Sequence, residues 1–220
     1  MTYDRLTKYP STPHLPQSRS RTGDDSVLTS TSHLDGMDVV ITEKLDGENA
    51  TLYRDHYHAR SLDSRHHPSR DWIKAFWAER RHDIPESLRI CGENLYARHS
   101  IAYDALKSYF YGFSAWTIDT NTCLAWDDTL EWFDLLGIEP VPALYRGPYS
   151  DDVVNRLVAD LDTSRQEGLV VRNATAFAYA DFNRNVAKWV RPRHVQTDTH
   201  WMHAEIIPNR LASPTEDSQP

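Results

Sequence analysis

Two short apolar runs, Val39-Val40-Ile41 and Ala50-Thr51-Leu52-Tyr53, flank one polar stretch, Glu43-Lys44-Leu45-Asp46-Gly47-Glu48-Asn49. The pattern predicts strand, tight turn, strand, with Asp46-Gly47 as the reversal. Such a unit commits the early chain to a sheet. A lysine at the lip of that turn, flanked by acids and a glycine, suits a nucleophile. The same stretch also reads as an ordinary hairpin with a solvated lysine, and the segment alone leaves both readings open.

Lysine usage bears on the choice. The chain has nineteen Arg but only five Lys, at positions 8, 44, 74, 107 and 188. Where positive charge alone is wanted, this sequence mostly uses Arg. A desolvated Lys can lose its proton and attack, which Arg cannot usefully do. The formal net charge of -8 argues against a bulk electrostatic grip on nucleic acid, but the charge is segregated. Acids crowd the stretch from Trp116 to Tyr145, and bases the stretch from Arg165 to His194. That distribution permits a local basic cleft on an acidic body.

At 220 residues the chain fits one large domain, or one domain with a small appendage. No apolar run approaches the ~18 residues of a membrane span. Met1 to Pro16 has no apolar signal core. Cys91 and Cys123 make no C-x-x-C pattern. These features predict a cytoplasmic protein with reduced thiols.

Along the chain, residues 1–28 predict an irregular arm packed on the domain, with Pro10, Pro13 and Pro16 in it. Strands are expected at 38–42, 49–54 (paired with the first), 57–61, 88–95, 109–118, 168–172 and 186–190. A helix opens near Asp71, with Ser69 or Asp71 as cap and Trp72, Ala75, Phe76 and Glu79 on one face. A second, capped by Asp128 or Thr129, ends at Gly137, and Ser150 caps a third reaching about Leu161. His56, His58, His66 and His67 lack a nearby cysteine and alternate with arginines, so they read as a polar loop rather than a zinc site. From about 204 to 220 the sequence thins into a loose tail. The order of elements predicts an α+β fold of mainly antiparallel sheets flanked by helices.

Further segments put charged or aromatic residues at strand ends: His58-Ala59-Arg60-Ser61, Cys91-Gly92-Glu93-Asn94, Tyr111-Gly112-Phe113-Ser114, Glu167-Gly168-Leu169-Val170-Val171-Arg172 and Ala187-Lys188-Trp189-Val190-Arg191. Taken in that order with Lys44-Leu45-Asp46-Gly47, they resemble the motifs of the covalent nucleotidyltransferases: ATP-dependent DNA and RNA ligases and mRNA capping enzymes. The phrasing Tyr96-Ala-Arg-His-Ser-Ile-Ala-Tyr103, the run His194 to Trp201 and the opening Tyr9 to Pro16 resemble the RNA-ligase branch. The resemblance runs from about residue 9 to 203.

It implies an ATP-grasp-like adenylyltransferase domain over residues 1–203, with no separate OB-fold domain. It also implies a function: transfer of AMP from ATP to Lys44, then to a 5′-phosphate RNA end, which is sealed to a 3′-hydroxyl. Lys44, Asp46 and Lys188 would carry catalysis. Glu43, Asn49, Arg60, Glu93, Phe113, Lys188 and Arg191 would bind the nucleotide, with Phe113 stacked on the base and Glu93 on a ribose hydroxyl. Glu167 would hold Mg²⁺ or Mn²⁺. Arg98, His99 and Arg193 would touch RNA, presented as free ends or in a nicked duplex, with a partner chain as one source of further grip. The resemblance also admits a DNA nick ligase, a GTP-using capping-type enzyme, or a non-sealing end-binding module.

Because adjacent acids raise a lysine pKa, Asp46 and Glu167 are expected to engage metal, water or ribose rather than pair tightly with Lys44. Ser114 stands where relatives often carry an acid, and Val190 where some carry a second lysine.

Overall fold

The computed structural model describes residues 6–18, 26–63, 66–192 and 206–213. In chain order the elements are β1 (Asp38–Lys44), β2 (Glu48–Leu52), β3 (Tyr57–Ala59), α1 (Asp71–Arg80), β4 (Leu88–Asn94), β5 (Phe110–Thr117), β6 (Thr122–Cys123) and α2 (Trp126–Leu136). Then come β7 (Glu139–Pro140), β8 (Ala143–Pro148), α3 (Asp151–Asp160), β9 (Gly168–Asn173), β10 (Phe177–Ala178), α4 (Phe182–Asn185) and β11 (Val186–Val190).

Two sheets result. One runs β11-β9-β1-β8; the other runs β10-β6-β5-β4-β2-β3, with β7 added to β5. Every pairing is antiparallel except β5 with β7, so the α+β expectation holds.

The predicted hairpin does not form. β1 pairs with β8 on one edge and β9 on the other, while β2 pairs with β3 and β4 in the second sheet. Val39, Val40 and Ile41 are each at most 1% exposed, so β1 is a central strand buried on both faces, with no edge left for β2. Leu45-Asp46-Gly47 is therefore a crossing from sheet to sheet. Gly47 is not in the left-handed region that a type I′ turn would require. It serves close approach instead: a Cβ there would lie 2.5 Å from the Asn94 carbonyl oxygen and 2.7 Å from Leu95 Cδ2.

The layers follow from strand parity. Val39 and Ile41 of β1, Leu169 and Val171 of β9, and Ala187 and Trp189 of β11 pack with Val154 of α3. The alternate residues, Val40, Val170 and Val186, face the second sheet. Beyond that sheet, Leu52, Ile90 and Phe110 pack on Ile73, Phe76 and Trp77 of α1 and Phe133 of α2.

β5 serves both sides through a bulge. Its register with β4 jumps from Cys91↔Ser114 to Gly92↔Gly112, leaving Phe113 without a partner. Phe110 and Ala115 thus face the helices, whereas Tyr111, Phe113 and Trp116 face the space between the sheets.

The helices depart from expectation in detail. α1 buries Ile73, Phe76 and Trp77, leaving Ala75 and Glu79 exposed, and Arg70 rather than Ser69 or Asp71 stands at its cap. α2 starts three or four residues early, with Ala125 at the cap and Asp127 and Asp128 in the first turn, where they complement the helix dipole. Gly137, at φ 60, closes it as predicted. Ser150 caps α3, its Oγ accepting the Val153 N–H. The tail expected to be loose is instead docked where it is described: residues 206–213 bridge to Ala97 and Leu106.

Gly47→Ala should cost about 1–3 kcal/mol through the overpacked sheet crossing. The expected readout is a lower urea midpoint at unchanged slope.

Candidate active site

Between the sheets lies a cavity of about 380 Å³, within the range of small-ligand sites. β1 supplies Thr42, Glu43 and Lys44, and β2 supplies Glu48 and Asn49. Glu93 comes from the end of β4, Phe113 from the bulge of β5, Val170 and Arg172 from β9, and Lys188 from β11. Arg60 and His99 close in from loops, and Tyr9 to Thr12 of the N-terminal arm form a further wall.

Lys44 ends β1 with its side chain 24% exposed, and its Nζ lies 2.5 Å from Glu167 Oε2. This pairing overturns the expectation that Glu167 would be engaged elsewhere. The Glu167 side chain is only 6% exposed, and a carboxylate that dry needs a charge partner; Lys44 is the cation in reach. Burial works to lower the Lys44 pKa, but Glu167, Glu93 and Asp46 outweigh it and hold the ammonium above its ordinary range. The resting lysine is therefore charged.

Asp46 does stay off Lys44. Its Oδ2 accepts from Ser100 N (2.8 Å), Ser100 Oγ (2.6 Å) and Ile101 N (2.8 Å). The backbone of the crossing is held as well: Asp46 N–H donates to Tyr103 Oη, and Gly47 N–H donates to Glu93 Oε1. Burial pushes the Glu93 pKa up to about 8, with Lys44 opposing and Glu167 and Asp46 reinforcing the rise. Burial likewise raises Glu43, whose carboxylate accepts from Gln166 Nε2.

Of the residues singled out from sequence, Glu43, Lys44, Asn49, Arg60, Glu93, Phe113 and Lys188 converge on the cavity. Asn49 Oδ1 is buried there without a hydrogen-bond partner. His99, singled out as an RNA contact, lines the same cavity, with Nδ1 4.0 Å from Asp46 Oδ1; burial lowers its pKa. Arg191 is not part of the lining; it donates to Thr163 O and Ser100 Oγ. Arg98 is exposed away from the cavity, and Arg193 lies outside the described residues. Ser114 is fully buried and accepts from Trp116 Nε1, which leaves no ligand role for it. Among the described residues no group of three His, Cys, Asp or Glu side chains is placed to hold a metal; His58 is a buried residue of β3 rather than part of a polar loop.

Two contributions were missed. Tyr9, edge-on to Phe113 at 5.0 Å, belongs to an arm read only as packing. Arg172 is 4% exposed and lines the cavity; it donates to Cys123 Sγ at 3.8 Å, and no carboxylate pairs with it among the described residues. Strand parity with Val170 was the signal for Arg172.

The architecture of two mainly antiparallel sheets with few helices is similar to that of solved ligases. An archaeal ATP-dependent RNA ligase superposes with a TM-score of 0.59 at 15% identity, over 84% of this chain and 48% of that one. A putative ATP-dependent DNA ligase from Aquifex aeolicus gives 0.55 at 16%, over 84% and 50%. An RNA ligase of Naegleria gruberi, in a mutant form solved with ATP and Mn, gives 0.55 at 15%, over 84% and 56%. This chain thus spans about half the length of these solved proteins. No curated protein matches it. The RNA ligase family model matches residues 37–190, and the chain belongs to that family.

Among the described residues no helix is long and apolar enough to cross a membrane.

A raised carboxyl pKa makes the folded state bind the extra proton. Below the ordinary value of 4.5 both states are protonated, and between there and about 8 only the folded one is. In chelator-treated buffer, stability should therefore fall as pH rises through that window, and Glu93→Gln should flatten the fall. Thermal midpoints taken across pH 4.5 to 8 check this.

Proposed function

We propose that this chain is the adenylyltransferase unit of an ATP-dependent RNA ligase. The observation carrying the reading is the convergence of Lys44, Arg60, Glu93, Phe113 and Lys188, which are scattered through the sequence, on one cavity. Lys44 Nζ attacks the α-phosphorus of ATP; the N–P bond forms as the bond to pyrophosphate breaks. The AMP then passes to a 5′-phosphate RNA end, and a 3′-hydroxyl displaces it to form the phosphodiester.

Each side chain has a physical task. Phe113 offers a ring face to the base, a contact worth ~1–3 kcal/mol. Glu93, held by the Gly47 amide, would accept from a ribose hydroxyl. Arg60 and Lys188 supply positive charge as phosphate charge develops. Arg172 offers donors to an acceptor atom of the bound nucleotide.

The carboxylates suit Mg²⁺ or Mn²⁺ in one particular way. Asp46 Oδ2 already accepts three hydrogen bonds, whereas Glu167 would offer its oxygens once Lys44 leaves, and such ions often take one or two carboxylates plus water and phosphate oxygens. A divalent ion bound there neutralises phosphate charge and favours the uncharged amine. Release of Lys44 from Glu167 is the step this chain must make before attack.

Incubation with α-labelled ATP and Mg²⁺ or Mn²⁺ should label the protein covalently, and Lys44→Arg should abolish the label while leaving the fold intact. No label from the folded protein with either ATP or GTP would sink the enzyme reading; label from GTP alone would point to capping-type chemistry. Sealing of nicks with RNA or DNA at the 3′-hydroxyl side separates the RNA ligase from a DNA ligase, and labelling without sealing of either leaves only the first step.

Arg172→Met should weaken nucleotide binding roughly tenfold yet leave the thermal midpoint unchanged or raised, because it removes a buried charge that no carboxylate compensates. Nucleotide titration and a melting curve on the same sample check both halves.

A further inference from the structure

The segment 206–213 follows every motif of the nucleotide pocket in sequence, yet it is built into the support of the reacting lysine. Residues 95–109, between β4 and β5, contain no helix or strand. A loop of that length has no ladder of its own and is held by side chains and neighbours.

Asn209 does the holding. It is 4% exposed, and all four of its hydrogen-bonding groups are engaged. Its backbone N–H donates to Tyr96 O (2.9 Å), and its backbone carbonyl accepts from Tyr109 Oη (3.0 Å). Its side-chain amide donates to Leu95 O (2.8 Å), and its Oδ1 accepts from Tyr103 N (2.9 Å). The carboxamide therefore acts as a stand-in peptide group across the mouth of the 96–103 loop. Neighbouring residues extend the clasp: Arg98 N–H donates to Ile207 O, Arg210 N–H to Tyr103 O, and Leu106 N–H to Arg210 O.

The pinned loop is the one that grips the sheet crossing. Ser100 and Ile101 hold Asp46 Oδ2, and Tyr103 Oη accepts the Asp46 N–H. Asp46 stands two residues after Lys44. Arg191 Nη2 reaches Ser100 Oγ at 3.2 Å from the opposite side, so the loop is supported at its tip as well as at its mouth.

We infer that Asn209 is a positioning residue for Lys44, acting through the 96–103 loop and Asp46, and that segment 206–213 is a working part of the adenylylation centre. None of the residues at 206–213 lines the nucleotide cavity. Its effect should fall on the reaction rate rather than on ATP capture, because a displacement of about 1 Å at a reacting atom can cost ~100-fold in rate.

The kinetic half of the test rests on the ligase reading; the exchange half does not. In the full chain, Asn209→Ala should lower the rate of covalent labelling at saturating ATP roughly tenfold or more, with KM for ATP changed less than about threefold. Hydrogen–deuterium exchange should accelerate in peptides covering 96–103 while those covering β1 and β9 keep their protection. Asn209→Asp, which keeps the acceptor for Tyr103 N–H and loses the donor to Leu95 O, should fall between wild type and Ala, and it replaces Ala if that variant does not fold. Unchanged labelling and exchange would overturn the inference. So would a general loss of protection across β1, β4 and β9 in Asp as well as Ala, which would mark Asn209 as a contributor to overall stability only. If wild type takes no label, the ligase reading fails and exchange at 96–103 decides the brace alone.

Discussion

The Lys44–Glu167 ion pair is the interaction on which the site depends. It joins the last residue of β1 to the residue before β9, on neighbouring strands whose register already brings Lys44 opposite Gly168. Sheet pairing alone thus sets the carboxylate beside the amine. The surroundings make the pair consequential: Glu167 is almost dry, and Glu93 and Asp46 add negative potential. A lysine so held keeps its ammonium while the carboxylate stays beside it.

Around that pair the molecule is organised by one topological fact. β1 has neighbours on both edges, so the chain leaving it must change sheets. The change brings Leu45, Asp46 and Gly47 across the gap, and the gap is the cavity. Gly47 is fixed by the backbone of β4, Asp46 by the loop beyond β4, and Lys44 by β9. These three anchors leave the Lys44 amine little freedom.

Much of this was legible in the sequence, and the failures are informative. The apolar runs at β1, β4, β5, β9 and β11 are central or well-covered strands, and hydrophobic periodicity reports such strands well. β8, with the sequence Ala-Leu-Tyr-Arg-Gly-Pro and half of its residues exposed, is an edge strand whose only adjacent packed apolar residues, Leu144 and Tyr145, make no alternating pattern to betray it. The Asp46-Gly47 turn was misread because strand-turn-strand in sequence is silent about which edges are already occupied. Lys44, Glu93, Phe113 and Lys188 could be found from ordered motifs, since chemistry fixes residue types. Glu167 was placed in the site but given the wrong neighbour, since burial was not visible. Asn209 lies in a short run near the end of the sequence with no periodic pattern, and only its hydrogen bonds distinguish it.

The bulge at Phe113 divides β5 into two halves of opposite phase. On one side of it even positions face the helices, as Gly112 does against Phe133; on the other, odd positions do, as Ala115 does. One strand thereby answers to two separate demands. Positions 110, 112 and 115 are tied to the volume of the helical core, and positions 111, 113 and 116 to the space between the sheets. A change at Phe113, the cavity-lining member of the second set, can proceed without disturbing the helical packing, provided the extra residue stays in place. The irregularity in the sheet is what allows stability and recognition to be varied apart.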